Sequence, residues 1–359
     1  MASALSYVFL GLSITSSWGN GHATTYRGLL RELVARGHDV TFLERNLPFY
    51  EANRDLPRPP YGKTRLYESL DELFERFEGE IRRADFVVIG SYVPDGIAVA
   101  ERVLAIRRGP VAFYDIDTPV TLQGIRDGTT AYVSKELIGR FELYLSFTGG
   151  PTLRTLETEY GAKRARALYC GVDPELYFPE SRPIEYELGY LGTYSEDRQG
   201  TLNRLLLEPA RIRREKAFIV AGAQYPDDVV FPPNVEHVVH LPPAEHRAFY
   251  GSQRFTLNVT REAMRRLGYS PSVRLFEAAA CATPIVSDTW PGIETFFEPG
   301  REILLVNGTE DVLRALDTMP EGERIAIGRR ARERVLREHT SAHRAETFER
   351  LTRLVLDKA

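Results

Sequence analysis

Short apolar runs alternate with helical patterns along this chain, and the alternation occurs twice over. In the first series, residues 7–14, 40–43, 86–89, 111–114 and 144–147 read as strands. Helical spacing fills about 24–36, which Gly37 closes, and about 66–83, where leucines and phenylalanines recur among charges. The second series starts near Glu187, with strands expected at 188–191, 218–221, 235–239, 255–259, 285–287 and 303–306. Continuous apolar strands separated by helices call for parallel sheet covered on both faces. A chain of 359 residues is too long for one typical domain. The fold class expected is therefore α/β, with two tandem doubly wound Rossmann-like domains. Their join falls at 170–183, which holds Pro174, Pro179 and Pro183 and few helical signals. In such sheets ligands bind at the carboxyl ends of the strands.

Composition narrows the function classes. A formal net charge of −4 gives the chain no basic footprint for nucleic acid. No apolar run approaches the length of a membrane span. The first apolar run lacks a charged segment before it and an A-x-A site after it, so it reads as a buried strand rather than a signal peptide. The two cysteines, Cys170 and Cys281, lie in different halves and suit a reducing compartment, so a cytoplasmic protein is expected. The loop 48–60 is longer than most connections, which suggests a function of its own.

The first strand leads into Trp18-Gly19-Asn20-Gly21-His22-Ala23-Thr24, and a helix follows. That is the context of a phosphate-cradling turn. The spacing is G-x-G-x-x-T, so the dinucleotide fingerprint fails at its third glycine, and no G-x-x-x-x-G-K-[ST] occurs. The stretch is either a ligand loop or simply a tight strand-to-helix turn. His22, beside the glycines, is a candidate to orient or protonate a reacting group.

The second half is more specific. Cys170-Gly171-Val172-Asp173 runs through Tyr177 to Phe178-Pro179; Glu277-Ala278-Ala279-Ala280-Cys281-Ala282-Thr283-Pro284 follows, then Pro291-Gly292 and Pro299-Gly300. In this order the elements resemble the retaining, glycogen-synthase-like glycosyltransferases of GT-B architecture. Cys170 stands where that class has Asn, and Ala282 where Gly is usual. The stretches 270–277 and 296–300 look most like the CgeB-like branch. The resemblance implies two facing domains, an acceptor-side domain at 1–170 and a nucleotide-sugar domain at 171–335. It also implies that 336–359 is a terminal helix crossing back to the first domain, and Phe348, Leu351, Leu354 and Val355 offer an apolar stripe for docking it. The tail from Glu321 to Lys358 reads as two Arg-rich helices. The activity implied is transfer of a sugar from a nucleoside diphosphate donor, UDP by default, to an unidentified acceptor, without a cofactor.

The resemblance, together with the chemistry of such a donor, points to particular residues. Its diphosphate suits free N–H groups at a helix start, and Ser270-Pro271-Ser272-Val273 precedes the helix that holds Glu277. Glu277 is expected to accept hydrogen bonds from the ribose, or else to serve only the helix dipole. The class has a second Glu eight residues earlier, where this chain has Tyr269. Arg198 falls at the spacing of a phosphate-binding lysine after the first strand of the second domain, while Thr193 replaces the usual arginine there. Arg274 is either the substitute cation or a surface ion-pair partner. Tyr194 is a candidate stacking or hydroxyl contact, and Gly19, Asn20 and Gly21 are counted on the donor side. Asp115-Ile116-Asp117 forms a D-x-D at a strand end, which holds Mn²⁺ or Mg²⁺ in single-domain transferases. Against a two-domain pattern it reads instead as acceptor-facing or capping carboxylates, with Asp117 a catalytic candidate beside His22. No metal site is expected. The rival functions are a GT-B-like nucleotide-sugar epimerase and a non-catalytic sugar-binding coat or envelope protein.

Overall fold

A computed structural model describes residues 3–357. The chain divides into two compact units: Met1–Gly171 with Ser341–Ala359, and Val172–Thr340.

The first unit is built on a seven-stranded sheet. In chain order its strands are β1 (Ser6–Gly11), β2 (Asp39–Arg45), β3 (Lys63–Tyr67), β4 (Phe86–Gly90), β5 (Val111–Asp115), β6 (Leu143–Ser146) and β7 (Ala165–Ala167). The spatial order is β3-β2-β1-β4-β5-β6-β7, and every pairing is parallel. β4, β5 and β6 are buried at every residue, as strands covered on both faces must be. The order reverses direction between β1 and β4, so the loops leaving those strands part and open a crevice at the carboxyl end of the sheet.

The second unit repeats the plan with six parallel strands: β8 (Tyr186–Leu191), β9 (Phe218–Ala221), β10 (Val235–Val238), β11 (Gln253–Asn258), β12 (Ile285–Ser287) and β13 (Leu304–Leu305). Their order is β10-β9-β8-β11-β12-β13, so the reversal falls between β8 and β11. Leu188, Tyr190, Phe218, Val220, Phe255 and Leu257 form the centre of its core with the leucines of 202–207.

The final helix, Ser341–Leu356, belongs to the first unit. Phe348 is fully buried, its ring 5.2 Å from that of Tyr7 and 5.5 Å from that of Phe9. Tyr7 Oη lies 2.9 Å from Thr352 Oγ1, and Arg36 Nε donates to Glu349 at 2.8 Å. A Cβ on Gly28 would come within 2.3 Å of Ser341 Oγ, so the glycine allows the helices to approach. Truncating a buried Phe of this kind costs about 3–5 kcal/mol.

Two sequence expectations need correction. The helix placed at 66–83 begins at Leu70, because Ser69 caps it by accepting from Glu72 N, and residues 63–67 form edge strand β3 instead. The first strand ends at Gly11 rather than at residue 14, because Ile14 and Thr15 spend their N–H groups on a side chain, not on the sheet. Lys358, the last residue of the expected tail, lies outside the described residues.

Candidate functional site

In the first unit, β1 delivers the chain into the turn that holds Gly19, Asn20, Gly21 and His22. Gly19 adopts φ +59°, a left-handed conformation that favours glycine. Asn20 caps the helix Gly21–Ala35: its side chain accepts from His22 N at 3.1 Å and donates to Ser16 O at 3.1 Å and Ser13 O at 3.3 Å. Those bonds, at 5 % exposure, commit the Asn20 side chain to holding the turn. His22, one residue into the helix, is buried, and its Nε2 lies 3.2 Å from Asp117 Oδ2. Its Nδ1 has no hydrogen-bond partner among the described residues. Asp117 leaves the end of β5 as the residue before the helix Thr118–Arg126 and does not cap it with its side chain. Tyr92, at φ 62° in the loop after β4, sets its ring against His22 at 5.4 Å and against Tyr132 at 4.6 Å. Non-glycine residues held in this region store strain, typically at functional sites.

The D-x-D pair separates. Asp115 is fully buried, accepting from Thr121 Oγ1 at 2.6 Å and Tyr144 Oη at 2.5 Å, so it faces the core and not an acceptor. Burial pushes its carboxyl up to about 6 despite those two bonds. Asp117 alone remains partly open, with its side chain 25 % exposed. Among the described residues, no group of three His, Cys, Asp or Glu could hold a metal ion.

In the second unit the corresponding crevice is lined with cations. Arg274 extends from the helix Val273–Ala280 toward the end of β8, donating to Leu191 O and, at 3.0 Å, to Asn258 Oδ1. Its guanidinium lies over the Tyr190 ring at 5.0 Å. Only 9 % of Arg274 is exposed, which excludes the surface ion-pair reading. Arg198 donates to Thr193 O, and its buried Nε has no partner. Neither arginine has a carboxylate at ion-pair distance among the described residues. Burial, joined by the like charges of Arg274 and Arg261, lowers the Arg198 pKa. Such a pair calls for an anion, because cations withdrawn from water without counter-charge are costly, Arg274 being buried and Arg198 partly so. Gly192 makes the approach possible: a Cβ there would meet Arg274 Nη2 at 2.8 Å and Tyr190 Oη at 2.4 Å. The Tyr190 hydroxyl is buried and has no hydrogen-bond partner among the described residues.

The remaining expected residues surround this pair. Ser272 is the N-cap of the helix Val273–Ala280 and forms no side-chain cap bond; Leu275 N donates to its carbonyl at 3.1 Å. Tyr269 sits at φ 48°, its ring so close to Gly292 that a Cβ there would lie 2.4 Å away. Ser270 is fully buried between Tyr269 and that helix start. The Tyr194 ring meets that of Tyr225 at 5.5 Å, and Tyr225 Oη donates to Gly192 O at 3.2 Å.

Glu277 lies on the same helix as Arg274. It is 3 % exposed. Tyr250 Oη donates to its Oε2 at 3.1 Å, and His246 Nδ1 lies 3.7 Å away. Burial raises its pKa, but the contacts with His246, Tyr177 and Tyr250 outweigh that, and the net direction is down. The residues that sequence reasoning missed are Tyr190, Asn258 and Arg261. All three stand at or near the carboxyl ends of β8 and β11, the two strands flanking the reversal of order, and that position was their only signal.

Residues 198–350 match a family model described as glycosyl transferase-like. No curated protein matches the chain in sequence. Among solved structures, sucrose-phosphate synthase from Thermosynechococcus elongatus is similar at 15 % identity and TM-score 0.74, over 99 % of this chain and 100 % of that one. HepE of Anabaena, in complex with UDP and glucose, is similar at 12 % identity and TM-score 0.74, over 97 % and 99 % of the two chains. An alpha-glucosyltransferase in complex with UDP-glucose and DNA containing an abasic site matches at 12 % identity and TM-score 0.73, over 98 % and 100 %. The fold is therefore the two-domain Rossmann-like architecture of GT-B glycosyltransferases.

Proposed function

We propose that the chain transfers a sugar from a nucleoside diphosphate donor, UDP by default, to an acceptor hydroxyl. The observation that carries this reading is the arginine pair beside Gly192, Arg274 buried and Arg198 partly buried, without a carboxylate partner among the described residues, in a unit whose sequence is glycosyl transferase-like. In the second unit the two guanidiniums and the first-turn N–H groups at Ser272–Val273 would hold the diphosphate. Glu277, within reach of Tyr250 and His246, would take the ribose hydroxyls. When the bond from C1 of the sugar to phosphate breaks, the departing diphosphate keeps the electron pair, and these donors stabilise the charge it develops. In the first unit, His22 and Asp117 would engage the acceptor hydroxyl, whose proton is lost as its oxygen bonds to C1.

UDP is supported by the UDP complexes of the similar structures. The stretches around Arg274 and Phe296 support the CgeB-like branch. The arginines and amides meet the phosphate charge without a divalent ion, and two buried free cysteines suit a cytoplasmic setting. A thermal-shift panel of UDP-, GDP- and dTDP-glucose is the test. One of them is expected to raise the melting temperature at sub-millimolar concentration, and stabilisation by none would contradict the reading.

A further inference from the structure

The turn that carries His22 is held from two sides. Glu44, near the end of β2, is fully buried and has no ion-pair partner among the described residues. Its carboxylate accepts four hydrogen bonds from one short segment: Ser13 Oγ at 2.9 Å, Ile14 N at 2.7 Å, Thr15 N at 3.1 Å and Thr15 Oγ1 at 2.6 Å. Burying a charge is costly, and four donors are what make it tolerable. An amide here would keep an oxygen for Ile14 N and Thr15 N, but its NH₂ would face the Ser13 and Thr15 hydroxyls, which already accept from Ser16 N and Arg54 Nε and would lose the acceptor for their own protons.

From the other side comes the segment 48–60, which the structure opens with a short helix, Pro48–Glu51, where the sequence reads as loop throughout. Leu56 N donates to Thr15 O at 3.0 Å, and Ser16 Oγ donates to Asn53 O at 2.7 Å. Asp55 accepts from Ser17 N at 2.7 Å and takes Arg27 in a two-pronged pair at 2.7 and 2.9 Å. Arg27 in turn donates to Ile14 O at 2.9 Å. Burial raises the Asp55 pKa, but Arg27 and Ser17 outweigh it and bring it below the usual carboxylate range.

The ties converge on His22 by one route. They fix residues 13–17, whose Ser13 and Ser16 carbonyls hold the Asn20 amide, and Asn20 caps the helix through His22 N. We infer that Glu44 and Asp55 are positioning residues, which clamp the turn so that the His22 imidazole meets Asp117 and the acceptor in one fixed geometry. The inference rests on the proposed role of His22. In it the stretch 53–56 acts as a strap on the reactive turn.

The test compares Glu44→Gln, Asp55→Asn and His22→Gln with wild type. The probe is the sugar nucleotide that stabilises wild type best among UDP-, GDP- and dTDP-glucose. Three quantities are read: release of its nucleoside diphosphate, its dissociation constant, and amide hydrogen exchange across 13–22. Misplacement of a reacting group by about 1 Å costs on the order of a hundredfold in rate. Turnover is therefore expected to fall at least about tenfold in Glu44→Gln and Asp55→Asn, with faster exchange across 13–22 and a dissociation constant within about twofold of wild type. Asp55 is exposed, so Asp55→Asn decides the matter should Glu44→Gln fail to fold. Loosened exchange with undiminished turnover would overturn the positioning role while His22→Gln still abolishes turnover. Full turnover in His22→Gln would instead overturn the role of His22 itself, and the inference with it.

Discussion

Nε2 of His22 and Oδ2 of Asp117 stand 3.2 Å apart, although they leave different strands of one sheet and are 95 residues apart in the chain. A carboxylate so placed orients the ring, which is what proton transfer from an acceptor would use. Acid–base groups of this kind contribute about 10²–10⁴-fold in rate. His22→Gln is expected to lose that much turnover and Asp117→Asn somewhat less, with donor affinity unchanged in both. Single-turnover rates beside donor titrations check this. A loss confined to donor affinity would place the pair on the donor instead.

With phosphate charge met by Arg198, Arg274 and backbone amides, as proposed, transfer is expected to be independent of divalent ions. Activity is expected to survive exhaustive chelation. Loss on chelation, restored by Mn²⁺, would return Asp117 to a metal-binding role.

Asp115 gives a pH signature to the first unit. Its folded pKa of about 6 lies above the unfolded value of roughly 3.9. The folded state thus holds a proton that the unfolded state has released, and this stabilisation is lost as pH rises from about 4 through 6. Asp115→Asn keeps the shape and removes the titration. The melting temperature of the variant, relative to wild type, is expected to rise between pH 5 and pH 8. A constant difference across that range would show that Asp115 does not titrate there.

Much of this was legible in the chain because it depends on local pattern. Period and burial write the strands β4, β5 and β6 as continuous apolar runs, and Ser272-Val273 before the helix with Glu277 announces a helix start. What escaped depends on distant partners. β3 is a half-exposed edge strand whose Lys63, Arg65 and Tyr67 carry no clean alternation of polarity. The burial of Glu277 follows from Tyr250 on another helix, and the separate fates of Asp115 and Asp117 follow from Tyr144 and His22. No spacing within a motif encodes those contacts.

Ala282 ends the helix Val273–Ala280 in a left-handed conformation, φ 56°. Thr283 N bonds to Ala278 O at 3.0 Å and Ala282 N to Ala279 O at 2.9 Å, the paired bonds of a Schellman cap. Glycine fits that position without the Cβ penalty of about 1–2 kcal/mol, less what it adds to the freedom of the unfolded chain. Ala282→Gly is expected to stabilise the protein by about 0.5–1 kcal/mol, read from denaturant midpoints at equal slope. Destabilisation would mean that the Ala282 methyl group contributes packing that outweighs the strain.

The central claim is that the second unit holds a nucleoside diphosphate against Arg198 and Arg274. Titration calorimetry of UDP and of uridine, on wild type and on Arg198→Gln, tests it most directly, with melting temperature as the control for folding. A charge-assisted bond to phosphate is worth about 1.5–3 kcal/mol, or roughly a ten- to hundredfold change in affinity. UDP is expected to bind wild type and to weaken by that factor in Arg198→Gln, while uridine, which lacks the phosphates, binds both proteins alike. Equal UDP affinity for the two, with the fold intact, would contradict the account.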